Sequence, residues 1–554
     1  MMSWTQSGIL QRRTSGVVLA GAVLLAIAAD AGAQSQPSVS AKARTLLTKL
    51  GLNVEYRSID GSGNNLAHPG WGAAGSEQIR DTPPDYADGV SAMGGVGRPN
   101  PRDISNAVVD QSAIGSVPNT TNASDWIWQW GQFIDHDLTL SPTMVPDEPA
   151  NISMPPGDPS FDPFQTGTQV MPFSRSVYNP ASTSPFRQQV NILTAYIDGS
   201  QVYGSDPERA AALRDLSSNG YLLTSPGNLM PFNLGGFFNA MAGTQFFLAG
   251  DPRSNEQNGL TAVHTLFMRE HNRLVGILEP LGLGAEENYQ LARLVVGAEI
   301  EAITYNEFLP VLLGPDALAP YTGYHPDVDA TIENSFANAI YRVGHTLLSP
   351  QILRLDAHLQ PIPEGNISLK DAFFQPQQII DHGIEPLLRG LAHQKAQQID
   401  PYVVDDVRNF LFGPPGAGGM DLTSLNIQRG RDHGLGSYNA TRVAHGLVAK
   451  TSFADVSSSA EIVNRLASIY VSVDDIDPWV GALSEDHLDG AMVGELLFTV
   501  IREQFTAARD GDRFFYRTAP PIVAIYADSQ KLSSIIRENT PIRGEVQDNA
   551  FIVP

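Results

Sequence analysis

The sequence predicts a mostly α-helical protein, built as one large helical domain with long ordered loops and little β structure. From about residue 206 onward, apolar residues recur at positions i, i+3, i+4 and i+7, the spacing of an amphipathic helix. The segments with this spacing are ERAAALRDL, GLTAVHTLFMREHNRLVGIL, YQLARLVVGAEIEAITYNEFLPVLL and TIENSFANAIYRVGHTLLS. Alternating apolar and polar residues, which indicate half-buried strands, are scarce in the 554 residues.

The chain begins with the pattern of an export signal. Arg12 and Arg13 form a positive region, residues 17–29 form an apolar run, and Ala31, Gly32 and Ala33 offer a cleavage site. The apolar run is too short for a membrane span, and no later segment approaches one. We therefore expect a secreted or periplasmic protein. Its expected parts are a signal peptide at 1–33, a linker at 34–53 and one undivided domain at 54–554.

Composition narrows the function classes. The net charge is −24, with 42% hydrophobic residues, so the chain is expected to fold and to avoid nucleic acid and anionic membranes as partners. The chain has no cysteine, which excludes disulfides, thiolate ligands and the covalent attachment of a c-type haem. Although Asn119, Asn122 and Asn439 begin glycosylation sequons, the lack of disulfides favours a bacterial periplasm or exterior.

The stretch WIWQWGQFIDHDLTLSP combines an apolar helical stripe with a polar edge. Gln132, Asp135 and His136 are three or four residues apart and crowd that edge, whereas Asp137 is rotated toward a different neighbour. A metal site, an acid/base cluster and a capping polar helix end all remain open on this stretch alone. The residues of the apolar stripe are Trp126, Ile127, Trp130, Phe133 and Ile134.

The stretch TAYIDGS has oxygen-bearing residues at every second position: Thr194, Tyr196, Asp198 and Ser200. An extended loop of this kind can turn side-chain and main-chain oxygens toward one hard cation. A carboxylate from elsewhere, such as Asp137, would nearly complete a calcium shell. A hydroxyl-rich loop with an Asx-turn would give the same spacing.

Three further stretches carry polar residues with open interpretations. In GDPRSNEQNG, Arg253 and Glu256 are three apart and would ordinarily form a surface ion pair. In IYRVGHTLLS, His345 lies on an apolar helix beside Gly344, which leaves room for a flat group. His345 is therefore either an axial haem ligand or a satisfied core histidine.

LNIQRGRDHG is the third of these stretches, and it supplies an amide and clustered arginines. Asn426 could accept the Nδ1 hydrogen of a metal-bound imidazole and fix its tautomer. Arg429 and Arg431 could pair with haem propionates or with nearby carboxylates.

Taken together, these stretches resemble the animal-type haem peroxidases, the family of myeloperoxidase, lactoperoxidase and peroxidasin. The resemblance covers residues 54 to 554, and the five motifs occur in the family's order. It implies a mostly α-helical fold around a haem b. It also implies an enzyme that reduces hydrogen peroxide through a high-valent iron-oxo intermediate and oxidises halide or thiocyanate anions or phenolic donors, without stable membrane insertion.

The resemblance assigns roles residue by residue. His136 matches the distal acid/base, Arg253 the distal arginine and Gln132 the distal glutamine. His345 matches the proximal iron ligand, and Asn426 matches its hydrogen-bond partner. Further matches are Arg342 to the arginine that meets a haem propionate, Asp135 and Glu256 to the two ester-forming carboxylates, and Asp137, Thr194, Tyr196, Asp198 and Ser200 to the calcium site.

One departure and two rivals follow from the same comparison of motifs. Gln257 stands where myeloperoxidase has a methionine in sulfonium linkage to a haem vinyl, so that bond cannot form here. A cyclooxygenase-like fatty-acid dioxygenase typically has a tyrosine three residues before the ligand, where this chain has Arg342; Tyr341 is four before. A non-enzymatic calcium-binding adhesion module is the second rival, although it would be expected to have lost the haem residues.

Overall fold

The computed structural model describes residues 55–554, so the predicted signal peptide (1–33) and linker (34–53) lie outside the described residues. Helices dominate the described part, as the sequence predicts. They are α1 Pro101–Ile104, α2 Trp126–Leu138, α3 Ser200–Tyr203, α4 Pro207–Ala212, α5 Asn258–Leu278, α6 Ala285–Ile303, α7 Leu309–Leu313, α8 Asn334–Asn338, α9 Pro376–His382, α10 Glu385–His393, α11 Asp405–Arg408, α12 Leu422–Asp432, α13 Tyr438–Ala444, α14 Phe453–Val456, α15 Ala460–Ile469, α16 Pro478–Ser484, α17 Glu495–Asp510, α18 Pro521–Ser529 and α19 Leu532–Asn539.

Strands are short and peripheral. They form three antiparallel pairs of two residues each, and long loops connect the remaining elements. The pairs are β1 Ser76–Glu77 with β4 Val190–Asn191, β2 Ile152–Ser153 with β3 Val170–Met171, and β5 Gln351–Ile352 with β6 Ile367–Ser368. The predicted fold class is therefore confirmed. In the part of the chain that the structure describes, no helix combines the length and apolar character needed to cross a bilayer.

Helix α2 runs through the core next to α5. The ring of Phe133 stacks on that of Phe267 with centroids 5.1 Å apart, and Trp130 packs on the same ring at 5.6 Å. The Trp130 indole N–H donates to Thr304 Oγ1 at 3.1 Å, so its one polar atom is satisfied. Because α2 is covered on almost every side, its polar residues must find partners inside the protein.

Two predicted helices are interrupted, and both interruptions lie near the core. The predicted helix 331–349 breaks at Ala339, where φ is −137° and ψ is −63°, and a 3₁₀ turn from Ile340 to His345 follows. His345 is therefore the last residue of a 3₁₀ turn and does not lie within an amphipathic α-helix. Helix α6 passes into α7 through a π-helical turn, Thr304–Phe308, just before Pro310, whose missing N–H cannot continue the α-helical ladder.

Gly390 tests how closely α10 packs. A Cβ added there would lie 1.9 Å from the main-chain oxygen of Leu353. We expect Gly390→Ala to lower the free energy of unfolding by about 1–3 kcal/mol, because the backbone must shift to relieve the overlap. Gly544→Ala is the control, since nothing lies within 4 Å of its added Cβ. Urea denaturation of both variants gives the comparison, and equal stability would contradict the packing described here.

Candidate functional site

A cavity of about 370 Å³ lies in the core. Its walls come from α2, from the loop before α5, from the 3₁₀ turn after α8 and from α12. Every residue that the resemblance assigns to haem or peroxide lines this cavity: Gln132, Asp135, His136, Arg253, Glu256, Arg342, His345 and Asn426. Residues separated by up to three hundred positions in the chain thus meet in one space of ligand-binding size.

His136 is buried at one wall of the cavity. Its Nδ1 lies 3.5 Å from Asp251 Oδ1, and its Nε2 lies 3.9 Å from Glu256 Oε2. Burial, helped by the positive charge of Arg253, holds the pKa of His136 well below its ordinary value. The imidazole is therefore neutral at physiological pH and available as a proton acceptor.

Arg253 is fixed by several carboxylate and carbonyl oxygens. It forms a fork with Asp251, at 3.0 Å from Nε and 2.8 Å from Nη2, and reaches Asp135 Oδ2 at 3.2 Å. Its Nη2 also donates to the main-chain oxygen of Thr139 at 2.8 Å. Against the opposing effect of burial, the charge of Arg253 lowers the pKa of Asp251. The guanidinium is thus held as a rigid positive charge beside His136.

Asp251 is a site residue that sequence reasoning missed. It lies two positions before Arg253, and its Oδ1 accepts the Arg253 main-chain N–H at 2.7 Å, as in an Asx-turn. The Asp-Pro-Arg sequence carries that local signal. Nothing in the sequence shows that the same carboxylate also approaches His136.

Gln132 belongs to a chain of side-chain amides whose direction is fixed at one end. The Gly259 main-chain N–H donates to Gln257 Oε1 at 2.6 Å, so Gln257 must present its Nε2 to Gln132 Oε1, 3.1 Å away. Gln132 in turn donates from Nε2 to Glu256 Oε2 at 3.2 Å. The Gly259 main-chain N–H can only donate, so it fixes the orientation of the Gln257 amide, which in turn fixes that of Gln132. Gln132 therefore points its N–H groups toward Glu256.

Asp135 and Glu256 are the two carboxylates of the cavity wall. A quarter of each side chain is exposed, 27% and 25%, and both residues line the cavity. Burial raises the pKa of Asp135, and it raises that of Glu256 to about 7, in both cases against the lowering effect of Arg253. Thr139 Oγ1 donates to Asp135 Oδ1 at 2.7 Å and holds that carboxyl group in place.

His345 faces the same cavity from the 3₁₀ turn. Its Nδ1 lies 2.8 Å from Asn426 Nδ2, and Arg342 Nη1 donates to Asn426 Oδ1 at 3.3 Å. Burial and the nearby charge of Arg342 lower the pKa of His345 to about 3, so the ring is neutral. Burial also lowers the pKa of Arg342 to about 10. The Arg342 Nε has no hydrogen-bond partner among residues 55–554.

The remaining polar residues of the stretch LNIQRGRDHG have different surroundings. Arg429 lines the cavity and pairs with Asp432 at 3.0 Å. Arg431 instead forms a buried pair with Asp477 at 2.8 Å. His433 bonds through Nδ1 to Asn334 and through Nε2 to Ser176, which makes it a satisfied core histidine. Of the two arginines predicted to pair with propionates or carboxylates, Arg429 alone lines the cavity.

The stretch predicted to bind calcium lies against Asp137. Ser200 Oγ donates to Asp137 Oδ1 at 2.7 Å, and the Gly199 N–H donates to Asp137 Oδ2 at 3.1 Å. Burial raises the pKa of Asp137 well above its usual value, and the charge of Asp198 raises it further. Burial raises the pKa of Asp198 as well. The Thr194 side chain is buried beside Asp198, and its hydrogen bond acts against this rise in pKa.

The donors at this stretch are mixed. Tyr196 uses its hydroxyl on the Trp71 main-chain oxygen at 2.9 Å, which leaves its main-chain oxygen for any cation. Within residues 55–554, no group of three or more His, Asp or Glu side chains forms a metal cluster. A cation here would therefore draw on two carboxylates, hydroxyls and main-chain oxygens, a donor set that suits a hard ion such as Ca²⁺.

Comparison with known proteins finds relatives over most of the chain. The family model "Animal haem peroxidase" matches residues 56–551. Peroxinectin A of Dictyostelium discoideum is 35% identical over 531 residues, covering 92% of this chain and 97% of that protein. Myeloperoxidase of Mus musculus is 36% identical over 569 residues, covering 90% of this chain and 77% of that protein.

Solved structures with a similar fold are also found. Peroxidase A from Dictyostelium discoideum matches with a TM-score of 0.84 and 33% identity, over 90% of this chain and 100% of that one. A fatty acid alpha-dioxygenase of Oryza sativa matches with a TM-score of 0.75 and 20% identity, over 90% and 87% of the two chains. At that identity the second match is a likeness of fold alone.

Gly344 tests whether the cavity is shaped for a large planar ligand. It lines the cavity, and nothing lies within 4 Å of a Cβ added there. We expect Gly344→Ala to leave the stability of the haem-free protein within about 0.5 kcal/mol, because no protein atom is displaced. Its affinity for haem should fall, because the methyl group occupies ligand space. Titration followed at the Soret band measures this, and an unchanged affinity would refute a haem lying against Gly344.

Proposed function

Because this chain belongs to the animal haem peroxidase family, it is a haem-dependent peroxidase, and we propose that it is exported and oxidises a small anion or a phenol. The proposed donors are halides, thiocyanate and phenolic compounds, with hydrogen peroxide as the oxidant. The observation that carries the proposal is the single cavity in which His136, Arg253 and His345 meet. The sequence pattern at 1–33, which we interpret as an export signal, supports the proposed location.

The cavity residues fit a haem. His345 offers a neutral ring whose Nδ1 is engaged by Asn426, so Nε2 is the nitrogen that would bind iron. Arg342 lies in the cavity with an unpartnered Nε, which suits a propionate carboxylate. When bound, haem supplies the iron centre that is oxidised by peroxide and reduced again by the donor.

Iron binding through Nε2 sets the orientation of Asn426. A proton must then reside on Nδ1 of His345, and the amide oxygen of Asn426 must accept it. A half-turn of the Asn426 amide exchanges Oδ1 and Nδ2, which are of nearly equal size, and brings Oδ1 next to His345 Nδ1. The same half-turn ends the 3.3 Å bond from Arg342 to Oδ1 and releases Arg342 for a propionate. A neutral amide partner makes the imidazole less electron-rich than a carboxylate would.

His136 and Arg253 would divide the work on peroxide. The neutral His136 ring takes the proton from the first peroxide oxygen and returns it to the second as the O–O bond breaks. Arg253, held by its fork with Asp251, stabilises the negative charge that develops on the departing oxygen. Because both groups are fixed before the substrate arrives, little reorganisation accompanies the reaction.

Asp135 and Glu256 are proposed as the carboxylates that form ester links to the haem. Both line the cavity, and the raised pKa of Glu256, about 7, keeps part of it protonated at neutral pH. Gln257 has no sulfur, and its side-chain amide forms hydrogen bonds with Gly259, Gln129 and Gln132. A sulfonium link is therefore impossible, and we propose bromide, iodide or thiocyanate ahead of chloride.

We propose that calcium binds between Asp137 and the loop 194–200. Two buried carboxylates whose charges repel, with the buried Thr194 hydroxyl beside Asp198, favour a cation at this place. Asp137 directly follows His136 in α2, so the cation would also fix the end of the helix that carries the distal histidine.

The peroxidase interpretation is preferred to its rivals. The dioxygenase resemblance rests on fold at 20% identity, and Arg342 occupies the position of that branch's tyrosine. An adhesion module without catalysis would have no need for the complete set of cavity residues. The deciding experiment is a stopped-flow spectrum of the haem-loaded protein with peroxide, followed by halides, thiocyanate, phenols and a fatty acid. A missing Soret band after haem reconstitution would overturn the proposal.

His136→Ala should slow the reaction with peroxide by about a hundredfold or more while haem stays bound, because the cavity loses its proton acceptor. Added imidazole should restore part of the rate by entering the vacated space. In the unaltered protein the lowered pKa of His136 keeps the base form present, so protonation of His136 should slow the reaction only well below pH 6.5, whereas any change near pH 7 would follow Glu256, whose pKa is about 7. Unchanged peroxide kinetics in the variant would refute the assignment.

Asp137→Asn should release calcium and slow the peroxide reaction together, because one carboxylate serves the cation and anchors the histidine helix. Metal analysis by mass spectrometry measures the first effect. The matched control is Asp162→Asn: Asp162 is a buried carboxylate that accepts hydrogen bonds from Thr166 and Gly167 and lies outside the proposed calcium shell. Calcium that remains stoichiometric in Asp137→Asn would contradict the proposed site.

A further inference from the structure

A line of aromatic rings leads from the haem cavity to a second pocket. Tyr341 lines the cavity, and its ring centroid lies 5.5 Å from that of Phe505. Phe505 lies 6.3 Å from Tyr305, which lies 5.3 Å from Phe515. Phenylalanine rings thus alternate with tyrosines, the residues that can be oxidised. An electron would therefore step from one tyrosine to the next across one intervening phenylalanine ring.

The line ends at a surface pocket of about 160 Å³. Phe515 contacts two tyrosines there, Tyr321 at 4.8 Å and Tyr516 at 4.7 Å between centroids. Tyr305 and both of these tyrosines line the pocket. Tyr305 belongs to the π-helical turn Thr304–Phe308, an irregularity that often marks functional positions.

Tyr516 differs from the other tyrosines of the aromatic line in its hydrogen bonds. Its hydroxyl donates to Asp528 Oδ1 at 2.6 Å, whereas the Tyr305 hydroxyl donates to a main-chain oxygen, that of Phe505. The hydroxyls of Tyr341 and Tyr321 have no hydrogen-bond partner among residues 55–554. Oxidised tyrosine loses its phenolic proton, and a carboxylate is a far better proton acceptor than an amide oxygen. A radical formed along this line would therefore settle at Tyr516.

We propose that Tyr516 is a second oxidation site, at which donors that do not enter the haem cavity are oxidised through the aromatic line. The inference rests on the proposed function, which supplies hydrogen peroxide as oxidant. Tyr516 passes one electron along the rings to the oxidised haem and its proton to Asp528. The phenoxyl group then takes one electron from the donor and its proton back from Asp528. Two such cycles, with two protons, reduce one peroxide to two waters.

The pocket indicates the class of donor. Its wall combines the three tyrosines with prolines and with two arginines, Arg509 and Arg517. The Arg517 side chain is 44% exposed, and its Nε donates to the Tyr516 hydroxyl at 3.0 Å. Both arginines already pair with carboxylates, Arg509 with Asp510 at 2.7 Å and Arg517 with Asp528 at 3.5 Å. The aromatic faces therefore indicate an electron-rich aromatic donor, and the charges add no requirement for an acidic group. A volume of this size admits one ring system, so a donor with two ring systems would insert only one of them.

Peroxide addition to the haem-loaded full chain, without donor, is the first test. We expect a tyrosyl signal in electron paramagnetic resonance, and a nitroso spin trap should label the peptide that contains Tyr516. Tyr516→Phe should lose that label. Tyr305→Phe should also lose it, although Tyr516 is intact, because the middle of the line is removed. This second variant keeps the test decisive if Tyr516→Phe folds poorly.

Tyr221→Phe is the matched control. Tyr221 also donates to a carboxylate, Glu279 Oε2 at 3.1 Å, but it stands apart from the aromatic line, so the label at Tyr516 should persist. With the disulfonated dye ABTS as donor, the ratio of dye to iodide oxidation should fall in Tyr516→Phe and Tyr305→Phe but not in Tyr221→Phe.

The outcomes separate the two proposals. If the unaltered protein shows no iodide or dye oxidation by peroxide, the proposed function fails, and the second site fails with it. If iodide is oxidised but no label appears at Tyr516, the second site alone is overturned. The same conclusion follows if the label and the ratio of dye to iodide oxidation are unchanged in both Tyr516→Phe and Tyr305→Phe.

Discussion

The burial of α2 is the constraint on which the site depends. Three consecutive polar residues, Asp135, His136 and Asp137, are carried into the core, where an unpartnered polar group costs several kcal/mol. Each therefore requires its own surroundings: the guanidinium of Arg253, the haem cavity beside Asp251, and the loop around Ser200. The loop before α5, the 3₁₀ turn and α12 complete the cavity that these partners define.

The charges around the cavity indicate that its ligand carries negative charge. Among residues 55–554, Arg253 has two carboxylate partners and Arg429 has one, whereas Arg342 has an amide partner and no carboxylate. Burial of such a charge is costly, and the lowered pKa of Arg342 expresses that cost. A haem, with its propionates, would supply the missing negative charge, so loading is expected to stabilise the protein as well as to activate it.

The sequence predicts the fold class and the major helices because periodicity is a local signal, whereas the residues that line the cavity are predicted by the resemblance of five motifs to a known family. It does not predict the break at Ala339, since the apolar pattern runs through it, nor the separate surroundings of Arg429 and Arg431. Asp251 and the amide chain through Gln257 are also missed. Their roles depend on atoms brought together by tertiary folding, which spacing along the chain does not encode.

The adjacency of Asp135, His136 and Asp137 limits how this helix can change over evolution. Inserting or deleting one residue before Asp135 would rotate all three by about 100° around the helix axis. The proposed tether, proton acceptor and calcium ligand would then be lost in one event, and no single substitution elsewhere could restore them. A substitution in α2 changes one of these residues and leaves the other two in place, whereas a change in the length of α2 displaces all three. The surrounding loops tolerate changes of length far better, and divergence within this lineage should accumulate there.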